Sequence, residues 1–201
     1  MGLARLDRLA EEFSVRIDLR AFMLHPEIPP EGRVRERRPG EPESNDLAPH
    51  LAAQAEAEGL VMRRAALTPY SRPAQAVTEY AKQYGIDGRF HRLAYRAFWE
   101  DGANLGDLDV LARLAGEAGL DWSDIQPRLE AGEYDRTMQD QSDEGMRLGI
   151  TGVPGFVVDD RFWFTGAQPI EMFRLAAKRA LDAREPAESA GSSFGARIGE
   201  G

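Results

Sequence analysis

The sequence predicts an α/β fold in which an all-helical segment is inserted between two α/β parts. Three observations lead to this prediction. An amphipathic helix and an alternating stretch come first, residues 71–148 then carry helical patterns one after another, and a short apolar hairpin with a final helix follows. A chain of 201 residues is long enough for one large domain or for a domain with a substantial insertion.

The N-terminal part supplies a helix, a strand and a long loop. Leu3, Leu6 and Leu9 recur at the spacing of an amphipathic helix. From Val15 to Phe22 apolar and polar residues mostly alternate, which is typical of a strand with one buried face. Residues 26–49 contain six prolines and an arginine-rich run, so we expect a long loop without regular structure there.

Residues 71–148 are expected to form the inserted helical unit. Pro73 falls in the first turn of one predicted helix, and Asp107 is a suitable N-cap for another. Ser123 with Gln126 is typical of a capping box at the start of a further helix.

A hairpin and a final helix are predicted after the helical unit. Gly155–Val158 and Phe162–Thr165 predict two short strands, and Pro169 is expected to open the final helix. Asp159 and Asp160 stand between the strands, where a tight turn is a better explanation than a pair of catalytic carboxylates.

Composition excludes several classes of function. The net charge of -9 argues against nucleic acid as a partner, and no apolar run is long enough to span a membrane. Charged residues interrupt the first helix, which argues against a secretory signal. Since His25, His50 and His91 are not at metal-binding spacing, we expect no metal site, and no motif implies a cofactor. The chain has no cysteine, so as written it has neither a disulfide nor a reactive thiol.

Several segments resemble one known family in the same order. Gly149–Val158 (GITGVPGFVV) with Phe164–Pro169 (FTGAQP) is similar to the closing segment of the DsbA family of thioredoxin-fold proteins, above all to its FrnE-like branch. Shorter matches lie at Phe22–Gly32, Ser71–Ala74, Gly106–Asp107 and Leu129–Tyr134.

The resemblance covers about residues 2 to 182 and implies a thioredoxin-like fold with an inserted helical domain, as in DsbA. Residues 1–70 and 149–184 would form the thioredoxin-like α/β domain, residues 71–148 the helical insertion, and residues 185–201 a disordered tail.

The resemblance also implies a site. In the family, the peptide bond corresponding to Val153–Pro154 is cis and faces a reactive cysteine pair. Gly152, Val153, Pro154 and Gly155 are therefore predicted to bind substrate. Relatives often carry threonine after this proline, and we expect the glycine at position 155 to loosen the loop.

The reactive pair itself has no counterpart, and no catalytic residue is predicted. Family members begin with a strand and a Cys-Pro-Trp-Cys-like motif, whereas Gly2–Leu6 matches the residues just after that motif. The family's strand lies between the equivalents of Val15–Phe22 and Phe156–Asp159. Three explanations stay open: the natural protein is longer, another chain donates a strand, or the remaining strands pair directly.

By resemblance, the implied function is thiol–disulfide oxidoreduction or isomerisation, with an extended peptide or a small-molecule thiol as substrate. The chain as written would be inactive or truncated, because it has no cysteine. The alternatives are a non-catalytic thioredoxin-fold binding protein and a glutathione-dependent isomerase of the 2-hydroxychromene-2-carboxylate isomerase type. A cytoplasmic location is expected, and a homodimer is an open alternative.

Overall fold

The computed structural model describes residues 1–37 and 44–191, and side-chain surroundings as far as residue 184. Its elements follow in this order: α1 (Gly2–Glu12), β1 (Arg33–Val34), α2 (Pro49–Ala57), β2 (Leu67–Thr68), α3 (Arg72–Lys82), α4 (Asp87–Asp101), α5 (Leu108–Ala118), α6 (Trp122–Glu130), α7 (Asp135–Arg147), β3 (Gly155–Val158), β4 (Phe162–Thr165) and α8 (Ile170–Gly191). None of these helices combines the length and the apolar character that crossing a bilayer requires.

The described residues group into two compact units. One consists of Ile17–Gly149 with Met1, and the other of Gly2–Arg16 with the residues from Ile150 onward. The sequence placed residues 17–70 with the C-terminal α/β part, whereas their contacts place them with the helices. The assignment of a thioredoxin-like domain and an insertion domain stays a prediction.

Helices α3 to α7 enclose the core of the first unit, as the helical patterns predict. Asp107 caps α5 by accepting a hydrogen bond from the Asp109 amide at 2.9 Å, which confirms that prediction. The predicted capping box is wrong, because Asp121 caps α6 and accepts from the Ser123 amide at 2.9 Å. The largest fully buried side chains of this core are Val77, Tyr80, Phe90, Leu111, Leu114, Ile125 and Met138.

The segment predicted as a strand at residues 15–22 does not join a sheet. Its side chains alternate between more and less buried, as predicted, but no strand pairs with it in the described part of the chain. Instead, the Ala21 amide donates to Oε1 of Gln141 at 2.6 Å and the Met23 amide donates to Oγ of Ser142 at 3.1 Å. Side chains of α7 thus satisfy amides that a neighbouring strand would otherwise bond.

The expected long loop contains one short strand, which corrects the sequence prediction. β1 pairs antiparallel with β2, with Val34 opposite Leu67. Gly32 permits this approach, since its φ is +80° and a β-carbon there would lie 3.0 Å from Cδ2 of Leu67. Residues 38–43 of this loop lie outside the described residues.

The second unit packs α1, the β3–β4 hairpin and α8 around a small apolar core. Leu9 of α1 meets Phe173 of α8, and Phe156 and Phe164 of the hairpin pack against them. α8 continues to Gly191, within the segment 185–201 for which the sequence predicted a disordered tail, and residues 192–201 lie outside the described part.

Candidate functional site

The β3–β4 hairpin carries the candidate site. Its strands pair antiparallel with Phe156 opposite Phe164 and Val157 opposite Trp163. Asp159 and Asp160 have φ values of 56° and 54°, as a tight hairpin turn requires, so the predicted turn is confirmed. The hydrogen bond from Arg184 holds the pKa of the Asp159 carboxyl below its usual value, which fits a structural role for this aspartate.

The loop before β3 presents free backbone groups. The Val153–Pro154 peptide bond is cis, and the Pro154 carbonyl accepts a hydrogen bond from the Gly166 amide at 2.8 Å. The side chain of Val153 is 52% exposed. Within the described residues, neither the N–H nor the C=O of Val153 has a hydrogen-bond partner. This residue can therefore pair with an added extended chain.

Gly155 has a packing role that the sequence did not predict. A β-carbon at this position would lie 2.8 Å from Cγ2 of Ile150, whose side chain is buried. The glycine after the proline thus lets Ile150 pack against the loop, whereas its sequence position predicted only a looser backbone. Gly152, by contrast, has open space where a β-carbon would stand.

The start of α1 lies beside the same loop. A β-carbon on Gly2 would lie 3.3 Å from Cγ of Pro154 and 2.9 Å from Cζ of Phe156. The N-terminal end of a helix carries partial positive charge, because its first amides have no partner within the helix. A thiolate or another anion placed next to Pro154 would therefore be stabilised by this helix end.

Arg5 connects α1 to this loop, a role that the sequence did not predict. Its side chain is buried, and Nη1 donates to the Gln168 carbonyl at 2.5 Å. The Gln168 amide donates to the Gly166 carbonyl at 2.9 Å, and the Gly166 amide in turn bonds to Pro154. The signal was available, since Arg5 stands four residues before the buried Leu9 on one helix face.

The outer edge of β3 is open. Because the Gly166 amide bonds to the Pro154 carbonyl, the pair Gly155–Thr165 is of the non-hydrogen-bonded kind. Bonding pairs alternate along an antiparallel ladder, so the N–H and C=O of Val157 point away from β4. In the described part of the chain this sheet has only β3 and β4, so no strand covers that edge.

Three phenylalanine rings hold the hairpin against α8. The Phe156 and Phe164 rings stack with centroids 5.1 Å apart, and Phe173 meets them edge-on at 4.7 and 4.9 Å. The sequence left open whether Phe162, Trp163 and Phe164 line a groove or lie in the core. Phe164 packs on this core, whereas Trp163 is 49% exposed.

The model of the DSBA-like thioredoxin domain matches residues 1–178. The chain belongs to the DSBA-like thioredoxin family. This DSBA-like chain is also 32% identical over 113 residues to the protein YwbO of Bacillus subtilis (strain 168). That match covers 54% of the chain and 54% of YwbO, so it spans about half of the relative.

Two solved structures share the DsbA-like thioredoxin fold. A probable DsbA oxidoreductase of Streptomyces coelicolor aligns with a TM-score of 0.73 and 24% identity, covering 99% of this chain and 87% of that one. A candidate protein disulfide isomerase of Nitrosomonas europaea aligns with a TM-score of 0.61 and 19% identity, covering 90% and 91%. At these identities the two likenesses show the fold alone.

The DSBA-like site therefore combines features that binding needs, but no thiol of its own. The predicted substrate-binding residues Gly152 to Gly155 lie together beside the start of α1. The chain contains no cysteine. Among the described residues, no group of three or more histidine, aspartate or glutamate side chains could hold a metal ion.

Proposed function

We propose that this chain is the substrate-binding part of a DsbA-like thiol–disulfide oxidoreductase of the FrnE-like branch. An extended polypeptide would pair with the N–H and C=O of Val153, while the strand that the family carries before its cysteine motif would pair with the open edge of β3. The observation that carries this proposal is the exposed Val153, whose N–H and C=O have no partner among the described residues and which lies in the loop beside the start of α1. Strand addition of this kind takes its affinity from main-chain hydrogen bonds and its specificity from alternate side chains.

The chemistry of this site needs thiols from outside residues 1–201, because these residues include no cysteine. In the exchange reaction, a thiolate attacks one sulfur of a substrate disulfide, forms a mixed disulfide and releases the other sulfur as a thiolate. A second thiol of the same dithiol then displaces the substrate, so the dithiol is oxidised as the substrate is reduced. The residues of this chain would bind and orient the substrate, and the N-terminal end of α1 would favour a thiolate beside Pro154.

A second candidate is a binding protein without catalytic activity. The absence of cysteine favours this candidate. The open edge of β3 and the exposed Val153 are available to bind a partner without any thiol. The glutathione-dependent isomerase and the cytoplasmic location are predictions of the family resemblance alone.

Disulfide reduction with insulin as substrate separates the two candidates. The chain is compared with a version that carries a strand-forming segment and a Cys-Pro-Trp-Cys motif directly before Gly2, with dithiothreitol as reductant in both. We expect catalysed reduction only with the extended version. A matched extension with both cysteines replaced by serine controls for the added segment.

Peptide binding is measured in parallel on the unextended chain, with reduced and alkylated insulin B chain as the ligand. Binding without activity in either version would favour the binding protein. Absence of both binding and activity would overturn the proposed site. Val153→Pro, which removes the N–H that the peptide would pair with, should weaken binding, whereas Val153→Thr, which keeps that N–H, should preserve it.

A further inference from the structure

A groove lies on the other side of the hairpin, away from the open edge of β3. β4 and α8 enclose a shallow groove of about 290 Å³. Its apolar lining includes Trp163, Met172 and Leu175, which are 49%, 40% and 43% exposed. Large apolar side chains that stand exposed together are typical of an interaction site. We call this surface the β4–α8 groove.

The charge of the β4–α8 groove is opposite to that of the chain as a whole. The net charge is -9, yet the charged residues that line the groove are two arginines, Arg161 and Arg179. Arg161 donates to the Ala183 carbonyl at 3.2 Å and lies 3.9 Å from Asp159. Arg179 has no hydrogen bond or ion pair with any residue that the structure describes. The guanidinium of Arg179 is therefore available to pair with a carboxylate on a ligand.

The main chain of β4 adds a third recognition element. The alternation of bonding pairs directs the N–H and C=O of Trp163 away from β3, and neither group has a partner among the described residues. The Thr165 carbonyl on the same edge already accepts from Nε2 of Gln168 at 2.9 Å. An added chain would thus be fixed by a short pairing centred on Trp163, with its side chains in the groove.

We propose that the β4–α8 groove binds an acidic, apolar, extended segment of another protein. Its apolar side chains would lie on Trp163, Met172 and Leu175, and its carboxylates would pair with Arg179 and Arg161. A second copy of this chain fits less well, because a two-fold contact brings a patch against itself. The arginines of one copy would then meet arginines of the other, with no acidic residue in the groove lining.

The probes are two fluorescein-labelled heptapeptides, the acidic sequence ELEFEIE and its basic counterpart KLKFKIK, titrated with the full chain and followed by anisotropy. We expect the acidic peptide to bind at least about tenfold more tightly than the basic one, and more weakly as salt increases. Arg179→Glu and Leu175→Asp should each weaken binding of the acidic peptide about tenfold or more, and Arg179→Lys should restore most of it.

Two variants outside the groove serve as controls. Arg136→Glu reverses an exposed arginine on α7, and Leu108→Asp changes a leucine of similar exposure, 41%, at the start of α5. Both should bind the acidic peptide as the unaltered chain does. Since Leu175→Asp can disturb folding, the proposal is judged by the effect of Arg179→Glu on binding. Circular dichroism checks that each variant is folded.

Equal affinity for the two peptides, or affinity unaffected by Arg179→Glu, would overturn the proposal. So would a dimer in sedimentation experiments that Arg179→Glu or Leu175→Asp converts to a monomer, because the groove would then be an interface between copies. The inference does not rest on the proposed oxidoreductase function. Val153→Pro, which tests the proposed peptide site at Val153, should leave binding of the acidic peptide in the groove unchanged.

Discussion

Gly2 lies against the ring of Pro154, so that a β-carbon on the glycine would stand 3.3 Å from Cγ of the proline. This contact brings the start of α1 to the loop that presents Val153. The positive end of a helix and an exposed backbone that can pair with an extended chain thus occur side by side.

Gly2→Ala should disturb this contact, because the new β-carbon would also lie 2.9 Å from the ring of Phe156. We expect a loss of about 1 kcal/mol in the free energy of unfolding, as is typical of mild overpacking. Gly116→Ala is the matched comparison, since a β-carbon there meets nothing within 4 Å. In the last turn of α5 that substitution should stabilise by up to about 0.5–1 kcal/mol, because alanine has the higher helix propensity. Urea denaturation of both variants measures the difference, and equal losses would count against the close contact at Gly2.

Arg5→Met should destabilise the loop as well as the fold. The substitution leaves the Gln168 carbonyl without its 2.5 Å hydrogen bond, in a part of the unit where Arg5 is buried. Because this hydrogen bond is only part-buried, we expect a loss of about 1 kcal/mol in the free energy of unfolding, at the low end for an unsatisfied acceptor, measured by urea denaturation. Amide hydrogen exchange at Gly166 and Gln168 should accelerate more than exchange in the core of α5. Uniform acceleration would instead indicate that Arg5 supports only global stability.

Gly155→Thr introduces the residue that relatives often have at this place. Its β-carbon would lie 2.8 Å from Cγ2 of Ile150, so the buried isoleucine must move. We expect a cost of about 1–3 kcal/mol in thermal or urea denaturation. Gly152→Ala, two peptide units before Pro154, faces open space and should cost little. A neutral Gly155→Thr would show that Ile150 can repack freely.

His91 makes the stability depend on pH. Burial is the main reason that the pKa of His91 falls from 6.5 to about 4. The unfolded chain therefore binds a proton near pH 6.5 that the folded chain takes up only near pH 4, so the contribution of His91 to stability falls as pH is lowered through this window. The loss is on the order of 2–3 kcal/mol. His91→Gln should show a correspondingly smaller decline in unfolding free energy between pH 7 and about pH 4. If the unfolding free energy of His91→Gln depends on pH as that of the unaltered chain does, the imidazole of His91 is exposed to water in the folded chain.

The sequence predicted those features that depend on local pattern. The hairpin turn at Asp159 and Asp160, the cap at Asp107 and the helical unit all follow from residues close together in the chain. The features that the sequence did not predict depend on contacts between residues far apart in the chain. Residues 15–22 alternate as a strand does, but their sheet position depends on whether another strand lies beside them, and Gln141 and Ser142 bond their amides instead.

The candidate site shows the same limit. The family resemblance identified Gly152 to Gly155 as predicted substrate-binding residues, because that motif lies in one short segment of the sequence. The contact of Gly2 with Pro154 joins positions more than 150 residues apart, and the role of Arg5 depends on a carbonyl 163 residues away. No periodicity in either segment reports such a contact, since it is set by how α1 packs on the hairpin and α8.

Amide hydrogen exchange with and without reduced, alkylated insulin B chain tests the central claim most directly. The amide of Val153 has no partner among the described residues, whereas those of Phe156 and Val158 belong to the ladder with β4. Bound peptide should slow exchange at Val153 by about tenfold or more, with little change at Phe156 and Val158. Peptide that binds without protecting Val153 would contradict the account.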